Sequence, residues 1–465
     1  MVKLFSALGL LTVNSMAYSG ALDFYYQHRL DKMRSLRSDV SSVQTGYYAQ
    51  LIDHARPELG TFSQRYYVDE SYATDVNAPV FFYICGESAC SSSALGGAMQ
   101  NMAKKYHAKL IALEHRYYGK SLPRKTFSTD DLQYLTTDYA LRDLATFQKH
   151  ISKTRNWQGK WVSFGGSYPG SLSAYYRLKY PELVAGALAS SAPVLAKENF
   201  EEYDAHVTQV AGPVCADKMR AAYRQIESVM SDPARMTVIK RSFGVENLRN
   251  DTDFLFLVAD IGSAAVQYGY KNMFCNMLQQ GQDPLTGYAE FAKYFYNAWG
   301  IDDPVSLAIQ GAESENPADY ADGLGMRQWY YQSCIEYGYW QNAHHDPAKS
   351  TRSSAVNAAY FHDVCKRLFG ITANANTDLI NSQFYRPLLD STTSRIFFTN
   401  GSTDPWSRLS LTPANGNATN KNLAYYTIEG AAHCDDLRQR RDNDSAALKS
   451  ARQQFSALMT EWLTA

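Results

Sequence analysis

Trp161-Val162-Ser163-Phe164-Gly165-Gly166-Ser167-Tyr168-Pro169-Gly170 is the stretch on which the fold turns. Trp161 to Phe164 reads as a strand that runs straight into glycines, and Tyr168 to Tyr180 reads as a helix. A serine on a sharp strand-to-helix turn has its hydroxyl pushed into the open, and the tightness of the turn demands small neighbours. Gly165 meets that demand two positions before Ser167. Pro169 stands where the general motif has glycine, and Gly170 follows. Proline suits the first turn of a helix, where its missing N–H is not needed. The helix N-terminus also aims amides and positive dipole at the serine. Taken by itself, the motif favours a catalytic serine over a plain glycine-rich turn.

Outward from this turn, strands and helices alternate from about residue 60. Pro79 to Cys85, Lys109 to Leu113 and Val184 to Leu188 are short apolar runs of strand type. Met99 to Tyr106 and residues 134–153 have helical character. This alternation predicts a parallel sheet with helices on both faces. Residues 197–375 change character and carry helical patterns, among them 216–231, 255–280 and 288–298. Strand chemistry returns at Arg395 to Thr399 and Leu423 to Ile428, and a last helix is expected at about 444–463.

Two further residues follow strand ends. Asp404 lies in Asn400-Gly401-Ser402-Thr403-Asp404-Pro405-Trp406, and His433 closes Glu429-Gly430-Ala431-Ala432-His433. An aspartate there can hold an imidazole in one tautomer and stabilise its cation. Alone, Asp-Pro is more often a turn initiator, and a lone histidine is usually a surface or packed residue. Serine, aspartate and histidine in this order, each after a strand, form the chain order of α/β-hydrolase triads. The predicted fold class is therefore α/β: an α/β-hydrolase fold from residues 20–195 and 381–465, with a helical cap inserted at 196–380.

The chain has 465 residues, a formal net charge of −1 and 20% charged residues. No strong field favours nucleic acid, and no long basic run favours a membrane surface. Lys3, the apolar stretch Leu4 to Val13 and Ala17-Tyr18-Ser19 read as a signal peptide over residues 1–19, too short to span a bilayer. Export implies a secreted or lysosome-like compartment, or the periplasm or medium of a bacterium. Seven cysteines fit such a compartment; none forms C-x-x-C, which argues against zinc, and no cofactor is expected. An odd count leaves at least one thiol without an intrachain partner. Sequons begin at Asn250, Asn400, Asn417 and Asn443.

The sequence resembles the family of lysosomal Pro-X carboxypeptidase, dipeptidyl-peptidase II and thymus-specific serine protease. GGSYPGSLSAYYRLKYP (Gly165 to Pro181) and SSAPV (Ser190 to Val194) resemble the thymus-specific branch most. FSQRYY (Phe62 to Tyr67), EHRYYGKSLP (Glu114 to Pro123), WYYQSCIEYGY (Trp329 to Tyr339), NGSTDPW (Asn400 to Trp406) and GAAHCDDL (Gly430 to Leu437) extend the match. The resemblance implies Ser167, Asp404 and His433 as a triad and a helical insertion between the hydrolase halves. It also implies disulfides Cys215 to Cys275 and Cys334 to Cys365, leaving Cys85, Cys90 and Cys434. Two positions depart from the family pattern: Cys434 stands where many members have a second histidine, and Tyr330 stands where the dipeptidyl-peptidase-like members have an acidic residue after Trp329. Cys434 is either a structural residue or a disulfide-forming or redox-sensitive thiol beside the base.

For an oxyanion hole, the Tyr168 amide is the first donor and the Gly86 to Ser88 loop supplies the second. Glu87 is a candidate polar contact to substrate. Trp329 and Trp406 are candidates for an apolar substrate wall, with packed core tryptophans as the alternative, and Tyr330 is a further substrate-binding candidate. The expected partners are peptides, with a homodimer left open. The expected function is a serine exopeptidase working through an acyl-enzyme, cleaving after proline, and carboxypeptidase-like because Tyr330 removes an amine-binding acid. Glu87 or Glu336 remain alternative sources of that charge. The competing readings are a dipeptidyl-peptidase, a lipase or esterase on the same triad, and an inactive binding protein on a hydrolase fold.

Overall fold

The computed structural model describes residues 42–464; the expected signal peptide lies outside them. Eight strands form one sheet. In chain order these are β1 (Gln44–Leu51), β2 (Thr61–Asp69), β3 (Val80–Ile84), β4 (Lys109–Leu113), β5 (Trp161–Gly166) and β6 (Gly186–Ser190), then β9 (Ile396–Gly401) and β10 (Ala424–Ile428). Between them, β7 (Lys197–Asn199) and β8 (Gly338–Trp340) pair in a separate short parallel ladder. The order in the large sheet is β1-β2-β4-β3-β5-β6-β9-β10.

The sheet is not wholly parallel, contrary to the sequence expectation. β2 runs antiparallel to both β1 and β4, while the other pairings are parallel. β1 escaped notice because QTGYYAQL carries no continuous apolar run and is half exposed along its length.

The side-chain period of two divides the core. Val80, Phe82 and Ile84 of β3 face one side, with α2 (Thr137–Thr154) and α3 (Tyr168–Lys179) packed over them. Phe81 faces the other side with Phe164, covered by α1 (Gly97–Tyr106) and the C-terminal helix Ala446–Thr464 through Met99, Phe455 and Met459. Both faces are thus covered, which is why β3 to β6 are almost entirely buried.

Between β6 and β9 lie α4 (Glu201–Ala211), α5 (Pro213–Glu227), α6 (Pro233–Ser242), α7 (Asp251–Gln267), α8 (Lys271–Gln280), α9 (Pro284–Trp299), α10 (Met326–Gln332) and α11 (Ala358–Phe369). The helix expected over 255–280 is two helices, because Gly269 turns left-handed (φ 78°) just past the end of α7. Disulfides join Cys215 of α5 to Cys275 of α8, Cys334 to Cys365 of α11, and Cys85 to Cys90 after β3. Cys434 is a buried free thiol. Among the described residues, no helix is long and apolar enough to cross a membrane.

Candidate active site

Ser167 sits between β5 and α3 at φ 61° and ψ −133°, a conformation that costs a non-glycine residue about 1–3 kcal/mol. Its neighbours hold it there. The Ser167 amide donates to the Ser190 carbonyl at 2.9 Å, and its own carbonyl accepts from Ser171. A Cβ on Gly165 would lie 2.0 Å from the Pro169 carbonyl oxygen, so only glycine lets the helix fold back over the strand. Pro169 occupies the first helical turn without losing a hydrogen bond.

His433 Nδ1 and Asp404 Oδ2 are 2.8 Å apart, and both side chains are fully buried. The carbonyl of Gln267 accepts from the His433 amide. The two loops that carry the pair are tied together: Thr403 donates through both its amide and its hydroxyl to the Ala431 carbonyl. A Cβ on Gly401 would come within 2.4 Å of the Ala431 and Ala432 oxygens, which fixes glycine at that place in NGSTD. Asp404 Oδ1 accepts from the Trp406 amide, so the carboxylate is fixed from both sides. Ser191 Oγ accepts from the Cys434 amide, and Asp436 accepts from Ser190 and Thr399, pinning the histidine loop to the ends of β6 and β9. Burial disfavours a charged ring, but Asp404 and then Cys434 outweigh it and hold the imidazole well above its usual value. His433 Nε2 is buried and bonded to no other described group. That leaves one nitrogen oriented, and the other able to take a proton once the ring is neutral.

The loop after β3 reaches the Ser167 turn because Gly86 has no side chain. A Cβ there would lie 2.3 Å from Pro169 Cγ. The Cys85–Cys90 disulfide closes this loop. Its outer side pairs with the insertion: the Ala89 amide donates to the Gly323 carbonyl, and the Gly325 amide donates to the Glu87 carbonyl. Glu114 anchors the loop from beneath by accepting from the Cys90 amide, Arg65 and Ser121. The Tyr168 amide, first in α3, has no intrahelical partner by construction.

A cavity of about 200 Å³ opens on Ser167. Tyr168, Glu87 and Trp406 border it from the hydrolase part, and Trp329 and Tyr330 from α10. Trp406 packs tilted against Phe200 and edge-on against Tyr203, and donates its Nε1 to Gln267 Oε1. Trp329 packs on Tyr168 and Tyr337. The Glu87 carboxyl is half-buried at the wall; burial pushes it up to about 7, with its own amide and His433 only partly opposing. Glu336 is not in the cavity. It accepts from the Thr137 amide and hydroxyl, and so is spent on capping the start of α2.

Two features escaped the sequence reading. The first is a chain of hydrogen bonds behind Tyr168. His115 Nδ1 donates to the Arg116 carbonyl, so its Nε2 accepts from the Tyr168 hydroxyl. That hydroxyl accepts from Gln332, which in turn accepts from Tyr118. The second is Asp260 of α7, which also borders the cavity. Its signal was a lone acid in the apolar run Phe254 to Ala265. Away from the cavity, Glu201, His344 and His345 gather at the surface with ligand-type atoms within 4.8 Å of one another. Glu201 and His345 already bond each other at 2.7 Å.

Residues 50–455 match the family model described as serine carboxypeptidase S28. An Arabidopsis thaliana protein described as "Probable serine protease EDA2" is 35% identical over 375 residues, 77% of this chain and 74% of its own. The Mus musculus thymus-specific serine protease is 29% identical, with 87% and 84% covered. The Bos taurus lysosomal Pro-X carboxypeptidase is 27% identical, with 90% and 87% covered. The family model covers residues 50–455, most of the chain: the chain belongs to the serine carboxypeptidase S28 family and is a serine peptidase.

Proposed function

We propose that the protein is a serine exopeptidase that hydrolyses peptide bonds through an acyl-enzyme on Ser167. The observation that carries this reading is the strained Ser167 at a cavity bordered by the insertion, together with a buried His433–Asp404 pair with one free ring nitrogen. Ser167 Oγ attacks the scissile carbonyl as His433 Nε2 takes its proton. Asp404 keeps Nδ1 protonated and stabilises the imidazolium. The Tyr168 amide and the Gly86 to Ser88 loop receive the oxyanion, a contribution of about 3–4 kcal/mol per donor. The imidazolium then protonates the leaving amine, and water repeats the sequence on the ester.

Residues 196–380 act as a cap that narrows the cleft to chain ends and short peptides. Insertion residues Leu257, Phe295 and Trp329 on the cavity wall support that role. Trp329, Tyr330 and Trp406 offer flat apolar faces suited to a proline ring, and the similarity to a Pro-X carboxypeptidase supports cleavage after proline. Three disulfides support a secreted or lysosome-like location.

A fluorophosphonate probe followed by a peptide-library digest tests the proposal. Labelling at Ser167 and release from chain ends after proline are expected. Absence of labelling, or efficient cleavage inside folded proteins, contradicts it. The argument for a carboxypeptidase-like mode rested on Tyr330 in place of an acid. The cavity holds an acid from another element, so the mode turns on Asp260.

A further inference from the structure

We infer that Asp260 receives the free α-amine of a peptide substrate, so that the enzyme takes peptides by their N-terminus and releases dipeptides. This rests on Ser167 being the nucleophile. The geometry starts from α7, one face of which lines the cavity through Phe256, Leu257, Asp260, Ile261, Ala264 and Gln267. Asp260 is the only charged side chain among these six.

The helix serves as a ruler. Its C-terminal end is at the catalytic histidine, where the Gln267 carbonyl accepts from the His433 amide. Asp260 is seven residues earlier, about 10 Å back along the axis at 1.5 Å per residue. An extended dipeptide places its α-nitrogen about 7 Å from the carbonyl under attack, at roughly 3.4 Å per residue. An ammonium–carboxylate hydrogen bond of about 3 Å completes the span. On this scale a dipeptide matches the span from the histidine end of α7 to the Asp260 carboxylate better than a single residue or a tripeptide.

The electrostatics agree. Asp260 has no hydrogen-bond partner among the described residues, and burial pushes its carboxyl up to about 7. Arg352 is the cation that opposes this shift. Its guanidinium is already engaged with Asp204, Ser263 and the Gln341 carbonyl. The phenols of Tyr203, Tyr288 and Tyr330 are the other titratable groups coupled to Asp260. Glu87 borders the same cavity but couples to His433, at the reacting end. A carboxyl with no cation of its own, in an apolar wall, is costly when ionised and becomes favourable when an ammonium arrives. Asp260 thus puts back, from the insertion, the negative charge that Tyr330 does not supply on α10.

The test uses Xaa-Pro-Yaa peptides with free and acetylated N-termini. Wild type is expected to release the dipeptide Xaa-Pro from the free peptide and to lose about a hundredfold in kcat/KM on acetylation. Asp260→Asn is expected to lose a similar factor on the free peptide, mainly through KM, and to erase the penalty for acetylation. Fluorophosphonate labelling of Ser167 should proceed at the same rate in both proteins, so failure of the serine assignment is read separately. Binding to Ser167→Ala, measured by calorimetry, gives a second readout without turnover: the free peptide should bind about a hundredfold tighter than the acetylated one. Equal binding of the two peptides, release of C-terminal residues indifferent to acetylation, or an Asp260→Asn protein that keeps the preference for free amine would overturn the inference. If that variant does not fold, the acetylation comparison on wild type and on Ser167→Ala decides.

Discussion

His433 Nδ1 and Asp404 Oδ2 stand 2.8 Å apart with neither side chain reaching water, although 29 positions separate them in the chain. Burial alone would leave the ring neutral; the carboxylate reverses that and favours the imidazolium. The pair therefore favours the charge distribution that arises when the serine loses its proton. It also imposes a cost, since a resting imidazolium has no free lone pair with which to act as base.

Ser167→Ala and His433→Ala should each lower kcat by about 10⁴-fold or more while the protein keeps its melting behaviour. Residues that act as a unit are grossly non-additive, so the double variant should be little worse than either single one. Steady-state kinetics on a chromogenic peptide read this. Losses that multiply in the double variant would show that the two side chains act in separate steps.

Asp404→Asn should fold and lose about 10⁴-fold in kcat, because the ring is released into the wrong tautomer. The pH profile carries a second signature. Wild-type activity needs neutral His433, whose pKa is raised, so kcat/KM should climb as pH rises through that pKa. Removing the carboxylate removes the leading cause of the raise, so the acid limb should move to lower pH. An unmoved limb would mean that another group sets it.

The fold was legible where local patterns and burial agreed. Phe81 and Phe82, both fully buried on opposite faces, announce β3 by their apolar run alone. The positions proposed as the triad, Ser167, Asp404 and His433, stood out because each follows a strand and their chain order is distinctive. Asp260 was marked only as a lone acid in an apolar run; its place in the cavity depends on how α7 packs against the histidine loop, a tertiary fact that the run itself does not carry. Glu336 was offered as a source of charge for the substrate. Its use in bonding Thr137, 199 positions away, is equally invisible along the chain. Gly269 was passed over because its neighbours keep helical spacing on both sides.

Glu336 makes a stability prediction. Burial pushes its carboxyl up to about 7, against the lowering effect of Thr137. A folded-state pKa above the unfolded value gives stability that is fully present below about 4.5 and lost as pH rises to about 7. The loss at pH 8 should be about 3 kcal/mol, at 1.36 kcal/mol per unit. Glu336→Gln cannot ionise and should lose none of this. Denaturant melts at pH 4.5 and pH 8 should therefore show wild type losing ground to the variant as pH rises. Parallel curves would mean that Glu336 stays ionised in the fold.

Gly86 offers the last prediction, on the loop proposed to complete the oxyanion hole. A Cβ at this position would meet Pro169 Cγ at 2.3 Å and Pro169 Cδ at 2.6 Å, while Tyr168 Cδ1 sits at 3.4 Å. Both prolyl atoms belong to a ring in the first turn of α3, which cannot swing aside, so the loop must move instead. Gly86→Val should shift the 86–88 amides away from Ser167 while His433 and Asp404, held by other loops, stay in place. An oxyanion donor acts on the transition state and not on the ground state, so kcat should fall by about 10²–10³-fold with KM nearly unchanged. Fluorophosphonate labelling should slow in parallel, because the phosphonyl oxygen occupies the same hole. A variant with normal kcat and a raised KM would instead make this loop part of the substrate pocket and send the search for the second donor elsewhere.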